Sequence, residues 1–243
     1  MTAQQVEPLG NRGDPIPHKT LLCIHSAGSS GDIFRIQLTK LRTALQHEFD
    51  FVFANGPHLS APGPGVLPWF EGAGPYYSWF KEEDVTMEQR VEQINDAVHH
   101  AISQWDANKK SPHSRIVGVL AFSEGSLATT LLLWQQKMSR VSWLPTLHFA
   151  VLICCFFRRE ATQYISADVG EGEKPLINVP TLHIHGRRDF CLAGARRLVA
   201  NHYLPEYARV IEFDGSHHVP SMRHDVETAV KGILDYTRLV PNE

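Results

Sequence analysis

Three short segments hold residue types that could together break an acyl bond. In Val119-Leu120-Ala121-Phe122-Ser123-Glu124-Gly125-Ser126, an apolar run leads into a serine and continues directly into a helical pattern. Small residues on both sides of a serine permit the sharp strand-to-helix turn of a nucleophile elbow, normally G-x-S-x-G. Here Ala121 stands at the first glycine. The same local pattern also suits a serine that merely caps a helix. In Leu182-His183-Ile184-His185-Gly186-Arg187-Arg188-Asp189, an apolar strand ends in a glycine turn and an acid follows, placed to orient an imidazole. In Phe213-Asp214-Gly215-Ser216-His217-His218-Val219-Pro220, a short strand gives way to a polar loop with two histidines, the setting for a general base.

Each segment alone has an ordinary explanation, but their order does not. Ser123, Asp189 and His217 each fall just past the C-terminal end of an expected strand, and they follow one another as Ser, Asp, His. That is the α/β-hydrolase order, and parallel sheets gather their sites at that edge. Backbone amides should hold the oxyanion: that of Glu124, after the nucleophile, and that of Ala27 in His25-Ser26-Ala27-Gly28. Only the amide of Glu124 is expected to face substrate, not its carboxylate. His25 is expected to brace the loop.

The elements that must position these residues alternate between strand and helix, which favours an α/β fold with a mostly parallel sheet flanked by helices on both faces. Strands are expected at 19–25, 49–54, 115–122, 149–157, 181–185 and 208–213. Helices are expected at 33–45, 87–105, 126–136 and about 225–239. Residues 1–18 read as an N-terminal extension and 19–243 as a single domain. The stretch from Asn55 to Phe80 is rich in Gly and Pro, and is expected as a long functional loop. Its Trp69, Phe70, Tyr76, Tyr77 and Trp79 are candidates for the wall of an acyl pocket, with an aromatic core under the long loop as the alternative for any one of them.

Composition narrows the class. A formal charge of −3 argues against general nucleic-acid binding. The start lacks a basic segment followed by an apolar run, and the longest apolar run is far short of a membrane span, so a soluble cytoplasmic protein is expected. Four cysteines without a CxxC or ligand spacing point to neither disulfide nor zinc. His183 and His185 share one strand face but lack an evident third ligand. No metal or organic cofactor is expected.

With these pieces assembled, the chain resembles the small serine-hydrolase family widespread in fungi, of the α/β-hydrolase superfamily. That family is related to the ovarian-tumour-associated hydrolase and to polyketide-releasing thioesterases. The resemblance lies in LLCIHSAGSSGDIF, FVFANGPH, YYSWF, GVLAFSEGS, PTLHIHGRRD and DGSHHVP, in that order. It implies His217 over His218 as the base, with Val219-Pro220 as the marker. It also implies release of a polyketide acyl chain from an acyl-carrier protein, through an acyl-enzyme. A general carboxylesterase or lactone hydrolase, and a non-catalytic scaffold on the same fold, are the alternatives. Two arginine pairs, Arg158-Arg159 and Arg187-Arg188, fall on the same sheet edge. They are expected either to meet an acidic carrier or its phosphate, or to be solvated partners of Glu160, Glu171 or Glu173.

Overall fold

Runs of apolar residues too short for a helix that spans the core become fully buried strands when helices cover both sheet faces. Lys19–Ile24 (β1), Phe49–Ala54 (β2), Arg115–Phe122 (β5), Phe149–Ile153 (β6), Thr181–Gly186 (β7) and Ala208–Phe213 (β8) form one six-stranded sheet. Its order is β2-β1-β5-β6-β7-β8 and every pairing is parallel. A small antiparallel hairpin, His58–Ser60 (β3) with Tyr76–Ser78 (β4), stands apart from it. The computed structural model describes residues 18–81, 85–156 and 158–241. Nearly all of the expected N-terminal extension, residues 1–17, and Phe157 therefore lie outside the described residues.

Alternation along each strand divides the core in two. Leu22, Ile24, Val119 and Ala121 face one layer, made by Met87–Asn108 (α3), Glu124–Lys137 (α4), Arg159–Ser166 (α5) and Leu192–His202 (α6). Leu21, Cys23, Leu120 and Phe122 face the other, made by Gly31–Gln37 (α1), Thr39–Leu45 (α2) and Arg223–Asp235 (α7). Between β1 and β5 the order of strands reverses. There the connections after the two strands diverge to opposite faces and leave a crevice at the sheet's C-terminal edge.

Helix α4 is buried from Glu124 to Gln135, polar residues included. Thr129 and Thr130 satisfy their hydroxyls by donating to the Gly125 and Ser126 carbonyls, each at 2.9 Å. His183 is fully buried beside Tyr203, with ring centroids 4.6 Å apart, and burial lowers its pKa to about 3. It is a neutral core residue.

Several expected boundaries shift. The helix expected over 33–45 breaks at Leu38 into α1 and α2. Leu38 takes ψ +2° and leaves the helical region, although Phe34, Leu38, Leu41 and Leu45 keep helical spacing on one buried face. Strand β6 stops at Ile153, since Cys154 takes φ +46° and leaves the extended region. The last helix ends at Asp235 and tightens into a 3₁₀ turn, Tyr236–Leu239. Helices α5 and α6 and the β3–β4 hairpin are additions to the expected elements.

Candidate active site

The turn after β5 determines where the serine goes. Ser123 takes φ +55° and ψ −118°, a conformation that L-residues avoid, and α4 starts at the next residue. Gly125 permits this approach: a Cβ there would lie 2.4 Å from the carbonyl oxygens of both Ile24 and His25. The Ser123 amide donates to the Ile153 carbonyl at 2.8 Å, which holds the turn against β6. Ala121 in place of the usual glycine is compatible with this geometry, as it is fully buried within β5.

The loops after β7 and β8 bring the other two side chains to this point. His217 Nε2 lies 2.7 Å from Ser123 Oγ, and His217 Nδ1 lies 2.9 Å from Asp189 Oδ1. With Nδ1–H donating to the carboxylate, the Nε2 lone pair is free to accept the serine hydroxyl. Phe122 and Phe190 flank the imidazole, with ring centroids at 5.2 and 4.6 Å. Burial alone would raise the Asp189 pKa. Hydrogen bonds from His217 and from the Cys191 amide at 2.7 Å, helped by the nearby Cys154 thiol, outweigh burial and hold it below its ordinary value. Asp189 is thus an anion at neutral pH, able to stabilise an imidazolium. His218 turns elsewhere, with Nδ1 2.8 Å from the Val219 carbonyl.

Ala27 and Glu124 line the cavity beside Ser123. Neither backbone N–H meets a protein acceptor among the described residues. The loop that presents Ala27 is tied down on every side. Gly28 takes φ +59°, donates to Ser78 Oγ at 3.0 Å and accepts from the Gly63 amide at 2.9 Å. His25 accepts from the Gly56 amide at Nε2, 3.0 Å, and donates from Nδ1 to the Ser26 carbonyl, 2.6 Å. Burial lowers its pKa to about 4, so it stays neutral in this bracing role.

The aromatic segment does not wall the cavity. The cavity beside Ser123 measures about 450 Å³ and is lined by Ser26, Ala27, Pro64, Phe156, Arg158, Phe190 and Cys191 together with Ser123, Glu124 and His217. None of the five aromatic candidates is among them. Trp69 is 84% exposed, whereas Trp79 is completely buried. The Trp79 indole N–H donates to the His25 carbonyl at 2.9 Å, and its amide donates to Glu124 Oε2 at 2.8 Å. Tyr77 exchanges backbone bonds with Ser29, and the Tyr76 hydroxyl donates to the Phe70 carbonyl at 2.6 Å. These residues build the support under the Ala27 loop; a long segment crossing the sheet edge needs its own core. A larger groove between β2 and α3 holds none of the converging side chains.

Sequence reasoning set the Glu124 carboxylate aside, yet it occupies the centre of this support. Burial raises its pKa to about 7, and the Trp79 amide, the charge of Arg158 and the Phe80 amide temper that rise. The only signal in the chain was a charged residue opening an otherwise buried helix. Among the described residues, Cys154, Asp189 and His217 form the one group of three with metal-ligand atoms within 4.8 Å. Asp189 and His217 bind each other, and burial pushes the Cys154 thiol pKa upward, so the group is occupied by its own hydrogen bonds. Of the arginine pairs, Arg187 and Arg188 face Glu212 and Asp214 at 3.7 and 3.0 Å, not the acids expected from the sequence.

The family model for Serine hydrolase (FSH1) matches residues 16–229. The chain is 49% identical over 224 residues to Esterase mlcF of Penicillium citrinum, covering 88% of each chain. It is 44% identical over 227 residues to the dihydromonacolin L-[lovastatin nonaketide synthase] thioesterase of Aspergillus terreus, covering 86% of this chain and 88% of that one. Among solved structures, acyl-protein thioesterase 2 of Zea mays superposes with a TM-score of 0.57 at 17% identity, over 93% of this chain and 96% of that one. At that identity the likeness speaks for the fold alone, and the fold is that of the α/β-hydrolases.

Proposed function

The chain belongs to the Serine hydrolase (FSH1) family, and from that premise we propose that it releases a polyketide acyl chain from the thioester of an acyl-carrier protein, with Ser123 as nucleophile. The observation that carries this reading is the continuous path from Ser123 Oγ through the imidazole of His217 to Asp189, at 2.7 and 2.9 Å, opening on a mainly apolar cavity. His217 Nε2 takes the hydroxyl proton as Ser123 Oγ attacks the thioester carbonyl. The amides of Ala27 and Glu124 donate to the resulting oxyanion, an interaction whose loss costs about 3 kcal/mol or more in comparable sites. The tetrahedral intermediate expels the thiolate, which receives the proton from His217. Water then attacks the acyl-enzyme, His217 accepting its proton and returning it to Ser123 as the carboxylic acid leaves.

The thioesterase among the relatives, named for a polyketide synthase product, supports the carrier-bound substrate. Relatives named as esterases favour a second reading, an oxygen-ester hydrolase with the same acyl-enzyme. Residues 19–243 act as one domain in this proposal, since one sheet runs without interruption from β2 at one edge to β8 at the other. Its setting is the cytoplasm; among the described residues no helix is long and apolar enough to cross a membrane.

A fluorophosphonate probe should label the wild-type protein at Ser123 and leave Ser123→Ala unlabelled. An unlabelled wild type would overturn the nucleophile, and with it both readings. Hydrolysis of a carrier-bound acyl thioester should exceed that of the matching aryl ester; the reverse order selects the esterase reading.

A further inference from the structure

Several exposed arginines of this fold have an obvious anion. Arg140 pairs with Asp168, Arg196 with Glu212 and Arg209 with Asp235, all within 2.8 Å. Arg158 does not. It lines the cavity of Ser123, half-buried, and among the described residues its guanidinium forms neither an ion pair nor a hydrogen bond. Its Nε is sealed from solvent without an acceptor. The guanidinium carbon lies 5.4 Å from the centroid of the Phe80 ring and 5.5 Å from that of Phe156, so two aromatic rings hold it in place.

The acid of the same cavity does not resolve this. Glu124 feels the charge of Arg158, but its carboxylate already accepts from the Trp79 amide at 2.8 Å and forms no ion pair with Arg158. A cation taken partly out of water, with a planar fork of donors and no partner among the described residues, calls for an acceptor that arrives with a ligand. Of the remaining walls, Ala27, Pro64, Phe156, Phe190 and Cys191 suit hydrocarbon, and Ser26 adds one hydroxyl. The carrier's phosphate is an unsuitable occupant. It sits a full pantetheine arm away from the thioester, whereas Arg158 shares a cavity of about 450 Å³ with the nucleophile.

We propose that Arg158 is a specificity-determining residue that selects oxygenated acyl chains, donating N–H bonds to a ketone or carboxylate oxygen on the chain while the apolar walls hold its carbons. This deepens the reading of the cavity as the acyl site and rests on it.

The test uses the full-length protein and three series of aryl esters matched in chain length: unsubstituted, oxo-substituted and ending in a carboxylate. Arg158→Met keeps the apolar stem against Phe80 and Phe156 and removes the donors. It should lower kcat/KM for the oxo or carboxylate esters by about 10- to 100-fold while changing that for plain esters by less than about threefold. An equal change in all three series overturns the proposal. Should the Met variant not fold, wild-type inhibition decides. A dicarboxylic acid should inhibit at least about tenfold more tightly than the monocarboxylic acid of equal length, and equal inhibition overturns the proposal. Failure of fluorophosphonate labelling together with no turnover of plain esters would instead remove the underlying acyl-site reading. Turnover of plain esters with no preference for oxygen removes the role of Arg158 alone.

Discussion

Asp189 accepts two hydrogen bonds at one oxygen, from the imidazole of His217 and from the Cys191 amide. Asp189→Asn can turn an NH₂ toward Nδ1 and so favours the opposite imidazole tautomer, with Nε2 carrying the proton and unable to accept another. We expect kcat to fall by about 10³- to 10⁴-fold with KM little changed, as measured by steady-state kinetics on an aryl ester. Glu124 yields a prediction of a different kind. Burial raises its pKa from 4.5 to about 7, so the folded chain holds this proton more firmly than the unfolded chain does. Its favourable contribution is complete below about pH 4.5 and disappears as pH rises through about 7. Between pH 5 and 8 the wild type should therefore lose, relative to Glu124→Gln, on the order of 3 kcal/mol of stability in urea unfolding. Parallel pH profiles for the two proteins would show that the carboxyl titrates normally.

At the scale of elements, the site depends on a hairpin that packs against the sheet edge through a few polar contacts. Trp79 joins three pieces: β4, the His25 loop and the start of α4. Trp79→Phe removes the indole donor, leaves the buried His25 carbonyl without a partner and opens a void. A loss of about 2–4 kcal/mol in unfolding free energy is expected, together with slower acylation as the Ala27 loop loosens. Denaturant titration and burst kinetics would measure the two effects, and acylation unaltered by the substitution would separate the hairpin from the oxyanion loop. The sequence was informative where chemistry and element coincide locally. Strand, serine and helix lie within the eight residues from Val119 to Ser126, and the glycine turn fixes Asp189 three residues past β7. The function of the aromatic segment was not legible, because aromatic residues suit a pocket wall and a small core equally. Only contacts such as Trp79 to Glu124, 45 residues apart in the chain, distinguish them. Helix α6 could have been found: Ala195, Leu198 and His202 follow helical spacing.

Across the whole molecule, two hydrophobic layers grip the sheet and hold the crevice between β1 and β5 open at one edge. The order Ser, Asp, His emerges from this strand order, which is why three distant segments could be connected before any coordinates. Arg158 could not be placed so closely, since its position depends on where α5 begins and on two aromatic rings from separate segments. The left-handed backbone at Ser123 has a consequence for the molecule as a whole. Such a residue typically stores about 1–3 kcal/mol of strain, which the rest of the fold must offset. Ser123→Ala deletes the hydroxyl and retains that tension, whereas Ser123→Gly deletes both. The glycine protein should melt a few degrees higher than the alanine protein, at roughly 2–4 °C per kcal/mol for a chain of this size. Two equally inert proteins would then differ in heat resistance, and the gap between them would measure how tightly the working enzyme is wound at its reactive centre.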